Sequence, residues 1–214
     1  MNVFRQRGSV SAVSRKLRFG GPGFDEMGLP EVIRRLADEQ RGLVLVNGPT
    51  GSGKTTTLAA MVEHLNHTRQ SHIVTIEDPI EVLFRDDVAS INQREVGNDT
   101  ESFLSALRAA LRQDPDVILI GEMRDTETVN RIVDFFPPEQ QGQIRLTLAG
   151  ALKGIICQRL VPARDGGMVL CHEILVNTGR VAERISDADR TAEIHELIAE
   201  GGYCARSTRV CSSS

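Results

Sequence analysis

The run Gly48-Pro49-Thr50-Gly51-Ser52-Gly53-Lys54-Thr55 constrains this chain more than any other eight residues. It matches the spacing G-x-x-x-x-G-K-[ST] in full. It follows the apolar stretch 43–46 and opens a segment in which Leu58, Met61, Val62 and Leu65 recur at helical spacing. Strand, glycine turn and amphipathic helix, in that order, are the context that gives the motif its meaning. Glycines let successive backbone N–H groups curl around phosphate oxygens, and the helix N-terminus adds the positive end of its dipole. Lys54 then reaches the β- and γ-phosphates of a nucleotide, and the Thr55 hydroxyl is a ligand for Mg²⁺. The spacing points to ATP or a related nucleotide, without saying what its energy drives.

A turn of this kind needs a sheet to stand on. Residues 43–46, 73–76 and 117–120 are short, continuously apolar runs, the pattern of parallel strands buried on both faces. Helical segments separate them. One follows the glycine turn, and one begins near Thr100 with Phe103, Leu104, Leu107 and Leu111 on one side. Strand, helix, strand, helix, strand is the rhythm of an α/β domain around a parallel sheet. Before it, residues 3–18 read as a surface strand without a partner, and residues 20–23 as a Gly/Pro linker. A helix then carries Pro30 in its first turn, Val32, Ile33 and Leu36 on its apolar face, and Gly42 at its end. Beyond Asp125 the rhythm changes. Pro137-Pro138 is a break, 140–154 is expected to be helical and 168–176 a strand. Residues 192–199 form a last helix with Ile194, Leu197 and Ile198 on one face, and 204–214 a disordered tail.

Two further carboxylate sites end apolar runs. Asp116-Val-Ile-Leu-Ile-Gly-Glu122 delivers Glu122 at the carboxyl edge of a strand, where open α/β sheets bind ligands. From there it can hold a magnesium shell or orient an attacking water. Ile76-Glu77-Asp78-Pro79-Ile80-Glu81 places Glu77 and Asp78 near the same edge, with Glu77 the candidate general base. A polar loop explains that second run equally well by spacing alone. Arg94, Arg108 and Arg112 are candidate phosphate-sensing arginines, although surface solvation accounts for such side chains too.

Composition narrows the class. Hydrophobic residues make up 40% and charged residues 25% of the 214, as in a soluble globular protein. No apolar run approaches the roughly 20 residues that span a bilayer. The first eight residues hold two arginines with no apolar stretch behind them, so a cytoplasmic chain is expected. A net charge of −4 argues against a surface that coats nucleic acid. Cys157, Cys171, Cys204 and Cys211 form no C-x-x-C pair, so no zinc site is expected.

Taken together, residues 42–54, Thr75-Ile-Glu-Asp-Pro-Ile-Glu81, Asn92-Gln-Arg-Glu-Val96 and Gly121-Glu-Met-Arg-Asp125 resemble the secretion-ATPase superfamily. Within it they are most similar to the type IV pilus retraction branch, the twitching-motility motors. The resemblance runs from about residue 2 to about residue 203. It implies a RecA-like P-loop NTPase domain that hydrolyses ATP with Mg²⁺. It also implies a homohexameric ring, peripheral at the cytoplasmic face of the inner membrane, acting on a pilus platform protein. By motif, Gly48–Thr55 is the Walker A loop, and Glu77, Asp78 and Glu81 lie in an acidic box. Glu122 is the Walker B glutamate, and Arg94 falls at an arginine position of the family pattern. The tetracysteine zinc module of the extension and type II secretion relatives is missing, which favours the retraction branch.

Three departures qualify that expectation. Family members open with a PAS-like domain, of which residues 1–19 resemble only the last segment. After Gly-Glu-Met-Arg-Asp the family pattern has a helix, an apolar strand and a Leu-His-Thr box, whereas no histidine occurs here between His72 and His172. A strand between the Walker A and Walker B strands is therefore expected to be lacking from the core, 20–134, with motor activity impaired. Residues 135–203 are expected to form its C-terminal helical and strand region, and residues 204–214 resemble a frameshifted tail. Two other readings stay open: a nucleotide-binding, non-hydrolysing subunit that joins intact paralogues, and a DNA-translocating motor. An ABC signature and a GTPase Asn-Lys-x-Asp are both missing.

Overall fold

A computed structural model describes residues 2–14, 17–121, 138–163, 166–187 and 190. The expected helix at 192–199 and the tail at 204–214 lie outside them. The glycine turn is carried by β4 (Leu43–Asn47) and α3 (Lys54–Thr68). Strand β4 pairs in parallel with β9 (Leu152–Pro162), which pairs antiparallel with β10 (Met168–Val176). A second sheet has β5 (His72–Glu77) at its centre, parallel on one side to β7 (Ser90–Glu95) and on the other to β8 (Val117–Ile120). The two three-stranded sheets, β10-β9-β4 and β7-β5-β8, are separate.

Helices cover both faces of the first sheet. On one face α1 (Phe24–Met27), α2 (Glu31–Ala37) and Met61 of α3 enclose Phe24, Ile33, Leu36, Ile156 and Ile174. On the other, Leu148 of α5 (Pro138–Ala151) and Val181 and Ile185 of α6 (Gly179–Ser186) pack against Leu45, Leu152 and Leu175 of the sheet. The same α3 also reaches the second sheet, where Val62 and Leu65 meet Ile73, Val117 and Leu119. Burial on both faces is what the continuous apolar runs of β4 and β5 call for, and Ile73, Val74 and Ile76 are fully buried.

Several expectations are corrected. Residues 2–13 are not a lone strand: β1 (Asn2–Gln6) and β2 (Ser9–Val13) pair with each other as a hairpin. Arg7 and Gly8 make the turn with positive φ. The 20–23 linker is tied down, because β3 (Arg18–Phe19) pairs with β6 (Val82–Leu83) and the Gly21 N–H donates to Glu63 Oε2 at 3.1 Å. The expected helix at 140–154 ends at Ala151, and the chain turns directly into β9, a strand the periodicity did not reveal. In α4 (Phe103–Ala110) the buried side chains are Ala106 and Ala110. Leu104 and Leu111 are 57% and 63% exposed. The alanines let the helix lie close on the sheet and leave Leu104 and Leu111 facing outward, with Phe103 and Leu107 half-buried.

The fifth correction bears on the site. Val117–Ile120 reads as a buried strand, yet β8 is only half-buried and Ile120 is 40% exposed. Its partner is β5 alone, and the partner of β4 is β9 alone. Each of these apolar strands therefore has one open edge among the described residues.

Candidate nucleotide site

Backbone geometry shapes the glycine turn first. Gly48, Gly51 and Gly53 have φ of 151°, 79° and 88°, conformations that side chains with a Cβ resist. At Gly48 the constraint is doubled: an added Cβ would lie 2.3 Å from the Gln158 carbonyl oxygen and 2.6 Å from Ser52 Oγ. The Ser52 N–H donates to the Pro49 carbonyl at 3.1 Å, closing the turn, and Gly53 is the N-cap of α3 without a side-chain cap. The first N–H groups of α3 thus have no internal acceptor, as at any helix start.

Lys54 folds back over this turn. Its Nζ donates to the Gly48 carbonyl at 2.9 Å and the Pro49 carbonyl at 3.0 Å. The ammonium is thereby held at the mouth of the loop. Ser52 is buried, and its hydroxyl has no hydrogen-bond partner. No hydrogen bond among the described residues occupies the Thr55 hydroxyl on the first turn of α3, so its oxygen is available to a cation. A lysine parked on carbonyls, uncapped amides and a free threonine hydroxyl fit a magnesium-bound polyphosphate.

Beneath the loop lies a polar layer that the sequence motifs do not contain. Thr57 and Gln158 are buried, and Gln158 Nε2 donates to Thr57 Oγ1 at 2.8 Å, linking β9 to α3. His172 of β10 stands opposite Gln158 in the antiparallel register. Burial lowers the pKa of His172, which keeps its ring neutral. The available signal was a glutamine at an inward position of an otherwise apolar alternation, Leu152, Gly154, Ile156, Gln158.

The second sheet contributes Glu77 at the end of β5. It is buried, accepting a hydrogen bond from Thr75 Oγ1 at 2.7 Å and from Gln93 Nε2 at 3.3 Å. Loss of solvent raises its carboxyl above the ordinary value, against the opposing pull of those two donors. The Gly121 N–H donates to the Ile76 carbonyl at 2.7 Å, and a Cβ on Gly121 would sit 3.2 Å from Glu77 Cγ. Glu77 therefore borders the residue that precedes Glu122; Glu122 itself lies outside the described residues. Arg94 pairs in register with Ile76 and lines a shallow depression with His72, Asn92, Gln93 and Gln113. Among the described residues, no hydrogen bond or ion pair joins Arg94 to residues 48–55. Within one chain the structure does not bring it to the loop.

Comparison with known proteins places this geometry. The family described as Type II/IV secretion system protein matches residues 11–135. The type IV pilus retraction ATPase PilT of Pseudomonas aeruginosa is 41% identical over 97% of this chain and 68% of its own length. The chain belongs to the type II/IV secretion ATPases. Its match to the retraction branch runs nearly end to end. The type II secretion system ATPase E of Vibrio cholerae is 49% identical but over only 45% of this chain and 18% of its own. A crystal structure of the pilus retraction motor PilT with bound ADP superposes with a TM-score of 0.83 at 44% identity, covering 92% of this chain and 65% of that one. This secretion ATPase chain thus spans about two thirds of the length of its retraction relatives.

The match to the retraction relative also contains a shortfall. The Pseudomonas alignment is 234 positions long, while 97% of 214 residues is about 208, so about 26 positions of that relative have no counterpart here. The Vibrio alignment has 97 positions against about 96 residues of this chain, 45% of 214, and shows no such gap. Among the described residues no helix is long and apolar enough to cross a membrane.

Proposed function

We propose that this chain is the nucleotide-binding ATPase domain of a pilus-retraction motor, with hydrolysis weakened by an unfilled position in its sheet. The observation that carries the reading is the loop itself, with three positive-φ glycines on β4, uncapped amides on α3 and the Lys54 ammonium waiting on loop carbonyls. On this reading Gly48, Pro49, Thr50, Gly51, Ser52 and Gly53 wrap ATP phosphates with backbone amides. Lys54 would exchange its two carbonyl partners for phosphate oxygens, and Thr55, with Glu122 acting indirectly, would hold the magnesium. Bound Mg-ATP supplies the phosphorus that water attacks. Glu77, buried and with a raised carboxyl pKa, accepts the proton of that water. Arg94 serves a neighbouring subunit of the hexamer implied by family, since it does not meet its own loop.

Residues 20–134 and 135–203 form the core and the C-terminal region of that domain. The ring, its seat at the inner membrane and its platform-protein partner belong to the same proposal. Titration calorimetry with ADP and ATP is the test. Saturable binding that Lys54→Ala weakens at least about tenfold is expected from loss of a charge-assisted phosphate contact. No heat from folded protein refutes the reading. ATP turnover is expected to be far below the roughly 1 s⁻¹ lower bound of ordinary enzymes. Turnover well above it, abolished by Lys54→Ala, would refute the impairment.

A further inference from the structure

Four buried polar atoms under the phosphate loop have no hydrogen-bond partner among the described residues: Ser52 Oγ, Gln158 Oε1 and both ring nitrogens of His172. Ser52 and Gln158 are each 2% exposed and His172 is 6% exposed. Buried polar groups are nearly always paired, so unpaired ones that share a layer need a reason.

Several contacts put them in one layer. Gln158 and His172 stand directly opposite in the antiparallel ladder of β9 and β10, where facing side chains have Cβ atoms roughly 4.5–5.5 Å apart. Gln158 reaches Thr57 of α3, so this face of the hairpin is the one under the loop. Leu170, two residues before His172 and on the same face, brings its Cδ1 to 3.9 Å from where a Cβ on Gly53 would stand. Ser52 is the neighbour of Gly53. Its hydroxyl lies 2.6 Å from the point a Cβ on Gly48 would occupy, and the Gln158 carbonyl oxygen lies 2.3 Å from that same point.

Their chemistry is complementary. A neutral imidazole has one donor and one acceptor, a hydroxyl can donate, and Gln158 Oε1 can only accept. Burial alone lowers the pKa of His172, so its ring is neutral and keeps both functions. The donors and acceptors then match: the Ser52 O–H to one ring nitrogen, and the N–H of the other to Gln158 Oε1. With Lys54 on its carbonyls that chain is open. Three hydrogen bonds hold the loop there, from the Ser52 N–H to the Pro49 carbonyl and from Lys54 Nζ to the Gly48 and Pro49 carbonyls. Movement of Lys54 to phosphate releases two of the three and lets Ser52 settle on the layer below.

We propose that Gln158 and His172 are positioning residues for the phosphate loop. When nucleotide draws Lys54 off its carbonyls, a chain of hydrogen bonds closes from Ser52 through His172 and Gln158 to Thr57. It fixes the floor of the loop to β9, β10 and the first turn of α3. Neither side chain touches the nucleotide. The inference rests on nucleotide binding by the loop.

The test is titration calorimetry of ADP into the full chain and its variants. His172→Phe keeps a ring and removes both polar functions. It should weaken ADP about tenfold or more, through loss of two hydrogen bonds of ordinary net strength. Its Tm without ADP should stay level or rise, because the open chain has no bond to lose. Ser52→Ala keeps the backbone amide and should weaken ADP about threefold, through loss of one such bond. The double variant should bind no worse than His172→Phe, since members of one network are not additive. His172→Gln restores a donor and an acceptor and should bind within about threefold of the parent. By NMR, both ring nitrogens of His172, assigned by their loss in His172→Gln, should shift on adding ADP, and only one of them in Ser52→Ala.

If the parent binds ADP and His172→Phe binds it equally well, or His172→Gln is no better than His172→Phe, this inference is overturned and the nucleotide reading stands. A lower Tm of His172→Phe with ADP affinity kept assigns His172 to the core alone and also overturns it. Should His172→Phe not melt cooperatively, Ser52→Ala and the ring resonances decide: unchanged affinity and unchanged resonances overturn it. A folded parent that gives no heat with ADP refutes the nucleotide reading, and this inference with it.

Discussion

Gly48→Ala is the sharpest probe of the loop, because two separate costs meet at one atom. The residue sits at φ 151°, and the new methyl carbon would lie 2.3 Å from the Gln158 carbonyl oxygen. A carbon–oxygen contact relaxes at about 3.3 Å or more, so something must move by about 1 Å. The obstructing atom is backbone of β9, held between β4 and β10, and cannot rotate away. Overpacking of this kind costs about 1–3 kcal/mol, and the disfavoured backbone region adds about 1–3 kcal/mol. Together they come to about 2–6 kcal/mol, against about 5–15 kcal/mol for a whole domain. For a chain of this size each kcal/mol lowers Tm by about 2–4 °C. A fall of about 4 °C or more is expected by circular dichroism, with ADP binding lost in calorimetry. Gly51→Ala is the internal control. Its φ is 79° and no atom lies within 4 Å of the added carbon. Only the left-handed penalty of about 1–2 kcal/mol applies. If Gly48→Ala melts within about 2 °C of the parent, or no lower than Gly51→Ala, the close approach of the loop to β9 is refuted.

Two titratable side chains give further tests. Burial raises the carboxyl of Glu77, so the folded state holds that proton more tightly than the unfolded chain, whose value is near 4.5. The contribution is full below pH 4.5 and is lost as pH rises through the folded pKa. Glu77→Gln should therefore raise Tm at pH 8, and the gain should vanish at pH 4; an equal gain at both refutes the buried charge. His67, at the C-terminal end of α3, is raised first by its hydrogen bond to Asp87 at 2.6 Å and then by Glu63. Its contribution is present below pH 6.5 and fades as pH rises through the elevated pKa. Asp87→Asn should lower the His67 pKa in an NMR titration, and an unchanged midpoint refutes the pairing.

How much of this was legible in the residues differs from element to element. The loop was readable because it is local: a glycine spacing, a lysine and a threonine lie within eight positions, and their backbone conformations follow from what glycine permits. The apolar runs of β4, β5 and β8 were readable for the same reason. Strand β9 was not, because Leu152–Pro162 follows a helix without a break, and its alternation begins where the helical pattern stops. The buried face of α4 was misread, since leucines outweigh alanines in any hydrophobic count. How close a helix sits on a sheet decides which of them is inside.

By itself the sequence determined that a phosphate-binding turn stands between a buried strand and a helix, and which strands are apolar enough for an interior. Only the tertiary structure decided what pairs with what. It set β9 beside β4 and brought Gln158 under the loop to Thr57. The physical reason is that periodicity records how much of a segment is meant to be buried, whereas a hydrogen-bond ladder is made with residues far along the chain. Val117–Ile120 has the composition of a strand enclosed on all sides and, among the described residues, meets a partner on one.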